Sequence, residues 1–201
     1  MTDEPFSLFT AADDPDFNAL FHLRTGEQWS KYCWGYKRAA DRLVETARET
    51  EIDLLIYPII FLYRQYVELR LKELYTLTGT FLEESMKYPK VHGLGGLWTE
   101  LLSRLERIWP VDDFEDEAEL RALCTRVIEE IDKVDRHGVV FRYPESGHEV
   151  LNGQDIGVAN LKYLKEIFGR VSVLLDGDSY ELSERLEVRW ELLAADWLAQ
   201  D

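Results

Sequence analysis

Apolar residues recur every three or four positions through most of this chain, the spacing that gives an α-helix one buried face. Sustained alternation with a period of two is absent, apart from a short stretch near residues 139–151. The apolar spacing predicts helices over residues 28–50, 53–77, 95–109, 113–137 and 155–177, and from 178 toward the C-terminus. We therefore predict an all-α fold, an up-and-down bundle of five or six helices, with a short β-hairpin or irregular loop near residues 139–151.

Residues with strong capping preferences set the predicted boundaries of the last two helices. Asp155 is the expected N-cap of the fifth helix, whose stripe starts at Val158, and Gly177 is its expected end. Asp178 and Glu181 then have the spacing of a capping box, which predicts a new helix. A break is thus expected between residues 177 and 178.

Composition is that of one globular domain. The chain has 201 residues, of which 46% are hydrophobic and 12% aromatic, so residues 1–201 are predicted to form a single domain, with 1–25 as an N-terminal extension docking on the bundle. The longest apolar run, Leu54 to Tyr63, is well short of the ~20 residues that span a bilayer. The N-terminus lacks the basic start of a signal peptide. We expect a cytoplasmic protein with no membrane contact.

Net charge narrows the classes of partner. The formal charge is −16, which opposes the broad basic surface that most nucleic-acid-binding proteins use. Residues 111–135 carry ten acidic and three basic side chains, a net of −7, and residues 178–201 carry seven and two, a net of −5. These segments are either solvated helix faces or surfaces for a basic partner protein.

Cysteine and histidine positions give no indication of a metal site. Cys33 and Cys124 lie on apolar stripes and are predicted to be buried, reduced thiols. The four histidines show no pair spaced to share a helical face with a carboxylate. We predict neither a metal nor a cofactor.

The second predicted helix carries a charged series at a spacing of four residues. Arg64, Glu68 and Lys72 share one face of a helix that is otherwise largely apolar. They form either an ion-pair ladder at the rim of the bundle or a partly buried pair that faces a polar partner across it. The loop containing Arg142 is a candidate for that partner.

Arg142 and His148 are the most plausible catalytic pair. Five residues separate them, and such a pair can act on RNA, with imidazole as general acid or base and guanidinium stabilising the charge of the transition state. With fifteen Arg and four His in the chain, roughly one such pair is expected by chance.

The strings FLYRQYVELRLKELY, HGLGGLW and FRYP follow one another along the chain, each at a predicted helix or helix end. In this order the region from about residue 30 to 175 resembles the HEPN superfamily of all-α domains, which is frequent in toxin–antitoxin and antiphage systems. Many HEPN proteins are metal-independent endoribonucleases that dimerise to form a composite site. The resemblance implies that Arg142 and His148 are catalytic, with His137 as a possible assistant and Glu68 orienting them. Arg64, Glu68 and Tyr143 would form a supporting polar cluster.

Three functions remain open from the sequence. The favoured one is a HEPN-like module of a defence or toxin–antitoxin system that mediates dimerisation and protein interaction, since HEPN-like domains without the catalytic motif act in this way. The second is the HEPN endoribonuclease with RNA as substrate. The third is an acidic partner that blocks or mimics nucleic-acid binding.

Overall fold

The residues that the structure describes form an α-helical bundle. The computed structural model describes residues 8, 13–19, 28–109, 115–144 and 157–198. These residues contain the α-helices α1 (Gln28–Thr46), α2 (Ile52–Phe81), α3 (Leu94–Ile108), α4 (Glu115–Val134) and α5 (Leu161–Leu198), two short 3-10 turns, Pro15–Phe17 and Glu49–Glu51, and no strand. The prediction of an all-α bundle is confirmed.

Helix α2 is the central element and contacts α1, α3 and α5. Its N-terminal half is apolar on nearly every side, yet Leu54 and Tyr57 in the first two turns are 72% and 48% exposed, and the buried residues of α2 run from Ile59 to Gly79. Pro58 lies in its second turn, where it removes one backbone donor without ending the helix. On α2 the largest fully buried apolar side chains are Tyr63, Tyr66, Ile59, Leu71 and Leu74. Polar groups carried by this helix are therefore held inside the protein.

Helices α2, α3 and α5 run in the same direction. Tyr63 of α2 stacks on Phe168 of α5 with ring centroids 4.3 Å apart, and at the far end the carbonyl of Phe81 accepts a bond from Arg189. Residues 82–93 return along α2, so α3 begins beside the middle of α2 and runs parallel to it. The bundle thus departs from a strict up-and-down order at this crossover.

The predicted break between a fifth and a sixth helix is wrong. Gly177 and Asp178 lie inside α5, because the buried face continues through them to Leu182, which is 0% exposed. Packing along this face outweighs the local preference of a glycine followed by an aspartate to end one helix and start another. The helix begins at Leu161, where the side chain of Asn160 accepts the backbone N–H of Tyr163.

Two further expectations near the start of α5 have different outcomes. Val158, predicted as part of the buried stripe, is 97% exposed and precedes the helix. Asp155 lies outside the described residues.

The loop after α4 begins as a series of turns. Residues 139–144 contain no strand, and Val140 and Phe141 are buried, at 5% and 8% exposure, so they anchor the start of the loop to the core. Residues 145–156 lie outside the described part. Of the predicted N-terminal extension, the structure describes residue 8 and residues 13–19, where Phe17 is 88% exposed.

Candidate functional site

Arg64 lies at the centre of a buried polar network between α2 and the turn that follows α4. Its side chain is 1% exposed. The Nη1 atom donates to Glu68 at 2.8 Å, Nη2 to the carbonyl of His92 at 2.7 Å, and Nε to the carbonyl of Asp135 at 3.2 Å. All three nitrogens are thus engaged with the protein. Arg64 ties three segments together and is not accessible to a ligand.

Glu68 completes this network on the side nearer the surface. Its Oε1 accepts from Lys72 at 2.6 Å and lies 3.1 Å from Nδ1 of His92. Burial raises the pKa of Glu68, but the bonds from Lys72 and Arg64 outweigh burial, so the pKa lies below its ordinary value. The carboxylate is therefore charged at neutral pH and holds its partners. Of the two sequence interpretations, the partly buried pair is the correct one.

Asp135 organises the start of the loop. Its Oδ1 atom accepts the backbone N–H groups of Val139 and Val140 at 2.6 and 3.0 Å, and its Oδ2 lies 3.3 Å from Nε of Arg64. Gly138 has φ +72°, and a Cβ there would lie 2.7 Å from Nη1 of Arg64. The turn therefore requires both a left-handed backbone and the absence of a side chain at this position.

Two residues of the predicted catalytic set, Arg142 and His137, lie at the outer side of this turn. Arg142 is exposed, and its guanidinium carbon lies 5.9 Å from the ring centroid of Phe61 and 5.6 Å from that of Tyr143. Tyr143 is itself 55% exposed, and His137 is exposed on the same turn. His148 lies outside the described residues. The polar partner of Arg64 is thus Asp135, seven residues before Arg142 in the chain.

Two members of the predicted supporting set have other roles. Glu68 forms its bonds with Arg64, Lys72 and His92, so the expectation that it holds or orients Arg142 is not met. Tyr143 lies beside Arg142 on the surface and is not part of the buried cluster of Arg64 and Glu68. The structure therefore separates a buried structural cluster from an exposed arginine.

The sequence interpretation missed a second buried cluster, centred on Arg70. Nη1 of Arg70 donates to Ser179 at 3.0 Å and to Glu73, and Nη2 lies 2.9 Å from Asp176. Tyr66 donates to the same Asp176 oxygen at 2.7 Å. The signal in the sequence was the pair Arg70 and Glu73 inside an apolar helix, but its partners on α5 are more than 100 residues away. This cluster fixes α5 against α2.

The chemistry available in the core is limited by burial. Cys33 and Cys124 are 0% exposed, as predicted, and burial raises the pKa of each thiol to about 12. Neither is a nucleophile at neutral pH. Among the described residues no group of three or more His, Cys, Asp or Glu is placed to hold a metal ion, and none of the helices is long and apolar enough to span a membrane.

The C-terminal part of α5 has a surface of large apolar side chains that are exposed to solvent. All nine residues from Trp190 to Leu198 are exposed, although the preceding turns of the same helix are buried at Leu182 and Leu186. The large apolar side chains of this surface, with their exposed fractions, are Val188 54%, Trp190 62%, Leu192 64%, Leu193 51%, Trp197 66% and Leu198 69%. We call residues 188–198 the α5 surface.

The α5 surface continues a buried face beyond the helices that cover it. Leu186, Trp190, Leu193 and Trp197 are spaced by four, three and four residues, so they share one face of the helix. Arg189 donates to the carbonyl of Phe81 at 3.0 Å, which places the end of α2 level with this turn. A groove beside it is lined by Phe81, Val188, Leu192 and Leu193, among others. The helix thus extends past the end of α2, and no other described residue covers its apolar side there.

Comparisons with known proteins add no relative: no protein-family model, no curated protein and no solved structure matches this chain. Membership of the HEPN superfamily therefore stays a prediction that rests on the sequence strings given above.

Proposed function

We propose that this protein is a helical interaction module that binds another protein chain through the α5 surface. The observation that carries the proposal is the uncovered apolar face from Trp190 to Leu198. Single exposed apolar residues are common on proteins, but a contiguous set that includes two tryptophans is typical of a contact surface. Burial of apolar area at about 25 cal/mol per Å² would supply the binding free energy.

The narrower form of the proposal follows from the resemblance to HEPN domains. In that form the module serves a toxin–antitoxin or defence assembly, and it dimerises. The all-α bundle supports this form at the level of fold class. Light scattering tests the dimer: a monomer at tens of micromolar contradicts dimerisation, and it leaves the binding of a different protein by the α5 surface unaffected.

Site-specific photo-crosslinking in the native host tests the proposal as a whole. A benzoylphenylalanine replaces Trp190 in one variant and Tyr163 in the matched control, since Tyr163 is 61% exposed on the covered half of the same helix. We expect discrete crosslinks to another chain from position 190 and none above background from position 163. Equal crosslinking at both positions, or none at position 190, contradicts the proposal.

A ribonuclease is the second candidate, and the placement of Arg142 favours it. The side chain is exposed beside two aromatic rings, on a turn that Asp135 and two buried residues attach to the core. An exposed arginine held in this way can meet a phosphate, and neighbouring rings can stack on bases. Arg142 and His148 would be catalytic in this case.

Cleavage assays separate the two candidates. RNA is incubated with wild type, Arg142→Ala and His148→Ala in buffer containing a chelator, since the resemblance implies chemistry without metal. A ribonuclease of this kind loses activity in both variants while its far-UV spectrum stays unchanged. Equal cleavage by all three proteins, or by none, rejects the catalytic role.

A further inference from the structure

We infer that the α5 surface receives a basic amphipathic helix from its partner protein. The inference rests on the proposed function and names the chemistry of the partner. Three observations carry it: the shape of the apolar face, the charges that flank it, and the state of the arginines within the same segment.

The apolar face is a straight stripe. Trp190, Leu193 and Trp197 follow Leu186 along one side of a continuous helix, and each of the three is at least 51% exposed. A stripe at this spacing matches the apolar face of another helix, whose own side chains recur at three and four residues. The partner segment is therefore helical, with one apolar side.

Both edges of the stripe carry a carboxylate. Glu187 precedes Trp190 by three residues, and Asp196 follows Leu193 by three, so each acid adjoins the stripe on the helix surface. The two acids lie on opposite sides of it, because a helix turns by about 100° per residue. Glu184 and Glu191 add two more acidic side chains to the same part of α5.

The basic residues of this segment already have partners. Arg185 donates to Glu181 at 2.6 Å, and Arg189 bonds to Glu83 and to the carbonyl of Phe81. By contrast, the four carboxylates at 184, 187, 191 and 196 form no ion pair with any described residue. The α5 surface is therefore an apolar stripe with, on each side, a carboxylate that has no ion-pair partner among the described residues.

Charge distinguishes three possible binding partners of the α5 surface: a second copy of the chain, an anionic membrane and a basic helix. A second copy of this chain would bring another formal charge of −16 and the same two flanking carboxylates, Glu187 and Asp196, to the interface. Like charges brought together oppose association, and an anionic membrane is repelled for the same reason. A helix with Lys or Arg on both sides of its apolar face can pack on the stripe and, at the same time, form ion pairs with the carboxylates at its two edges.

Two peptides of opposite charge test the inference on the full-length protein. The first is an 18-residue helix-forming peptide with leucines at heptad spacing and lysines at the flanking positions; the second has glutamate in place of every lysine. Binding is followed by the fluorescence anisotropy of labelled peptide. We expect the lysine peptide to bind at least about tenfold more tightly than the glutamate peptide. Increasing salt should weaken its binding severalfold without abolishing it, because the apolar contact remains.

Paired variants locate the binding. Trp190→Ser with Trp197→Ser removes the apolar contact, and Glu187→Gln with Asp196→Asn removes the flanking charge. The matched control, Glu129→Gln with Glu130→Gln, makes the same charge change at two exposed positions of α4 that form no ion pair within the described structure. We expect each α5 pair to weaken binding of the lysine peptide by about tenfold and the control by less than about twofold.

Three results overturn the inference. The glutamate peptide binds as tightly as the lysine peptide; the α4 control weakens binding as much as the α5 pairs, so that net charge alone attracts the peptide; or the protein forms a dimer through α5 that the lysine peptide does not displace. If crosslinking at position 190 is still observed in cells together with any of these results, the proposal that the α5 surface binds a protein is retained. The inference that this protein presents a basic helix is then wrong. If crosslinking is absent as well, the proposed function fails with it.

Discussion

Arg64 and Asp135 lie 71 residues apart in the chain, yet Nε of Arg64 is 3.3 Å from Oδ2 of Asp135 and donates to the Asp135 carbonyl. Both side chains are shielded from solvent, at 1% and 0% exposure. A buried charge is stable only with compensating partners, so this contact attaches the loop after α4 to the central helix.

Replacement of Arg64 should be far more damaging than replacement of Arg142. Arg64→Ala removes one donor each from Glu68, from the Asp135 carbonyl and from the His92 carbonyl, and it leaves the buried carboxylate of Asp135 without its counter-ion. We expect a loss of about 3–5 kcal/mol in the free energy of unfolding. Arg142→Ala removes an exposed side chain and should change it by less than about 0.5 kcal/mol. Urea unfolding followed by circular dichroism measures both. Similar losses in the two variants would show that the network is less important than its burial indicates.

Gly138→Ala should also destabilise the protein. The position has φ +72°, and the added Cβ would lie 2.7 Å from Nη1 of Arg64, so backbone strain and displacement of the arginine act together. We expect a loss of about 1–3 kcal/mol by the same urea measurement. A variant as stable as wild type would contradict the close approach of the turn to Arg64.

Gly177→Ala should have the opposite effect. Gly177 lies inside α5, and a Cβ there meets no atom within 4 Å. Alanine in a helix interior is favoured over glycine, so we expect a gain of about 0.5–1 kcal/mol. If the helix ended at this residue with a left-handed cap, as the local sequence alone predicts, alanine would destabilise the protein instead. The sign of the change therefore distinguishes one continuous helix from two.

Asp178 should make stability depend on pH near neutrality. Burial raises the pKa of Asp178 from 3.8 to about 7, against the opposing charge of Arg121, and its Oδ2 has no hydrogen-bond partner. The folded protein then binds this proton more tightly than the unfolded chain. The contribution of Asp178 to stability therefore falls as pH rises from about 4 to 7 and stays low above that range.

Asp178→Asn should remove this dependence. We expect the variant to exceed wild type by about 1–4 kcal/mol at pH 8 and the difference to shrink as the pH falls toward 5. Urea unfolding at pH 5, 6, 7 and 8 provides the comparison, with the exposed substitution Glu129→Gln as the control. Parallel stability curves for wild type and Asp178→Asn would show that the carboxylate is not perturbed in the folded state.

Local sequence information was sufficient for most of the helical framework. The apolar stripes that contain Cys33, Leu101 and Cys124 placed three helices to within a few residues, because the spacing of apolar residues shows which face of a helix is buried. The spacing of Arg64, Glu68 and Lys72 indicated ion pairing along α2 but left open whether the pairs lie at the rim of the bundle or inside it. Gly95 is the predicted first residue of the third helix, and in the structure its backbone N–H donates to the carboxylate of Asp132 at 2.8 Å, one residue after α3 begins.

What the sequence by itself determined was the class of fold, the helices with a strong apolar period, and the burial of both thiols. The tertiary structure decided that Gly177 and Asp178 continue a helix, because packing on α2 and α4 outweighs their local preference to end one. It also decided that Asp135 is the partner of Arg64 and Asp176 that of Arg70, since pairings over such distances in the chain leave no local pattern. Finally, the uncovered face beyond Arg189 could be recognised only once the end of α2 was located, because a buried stripe and an exposed one have the same spacing.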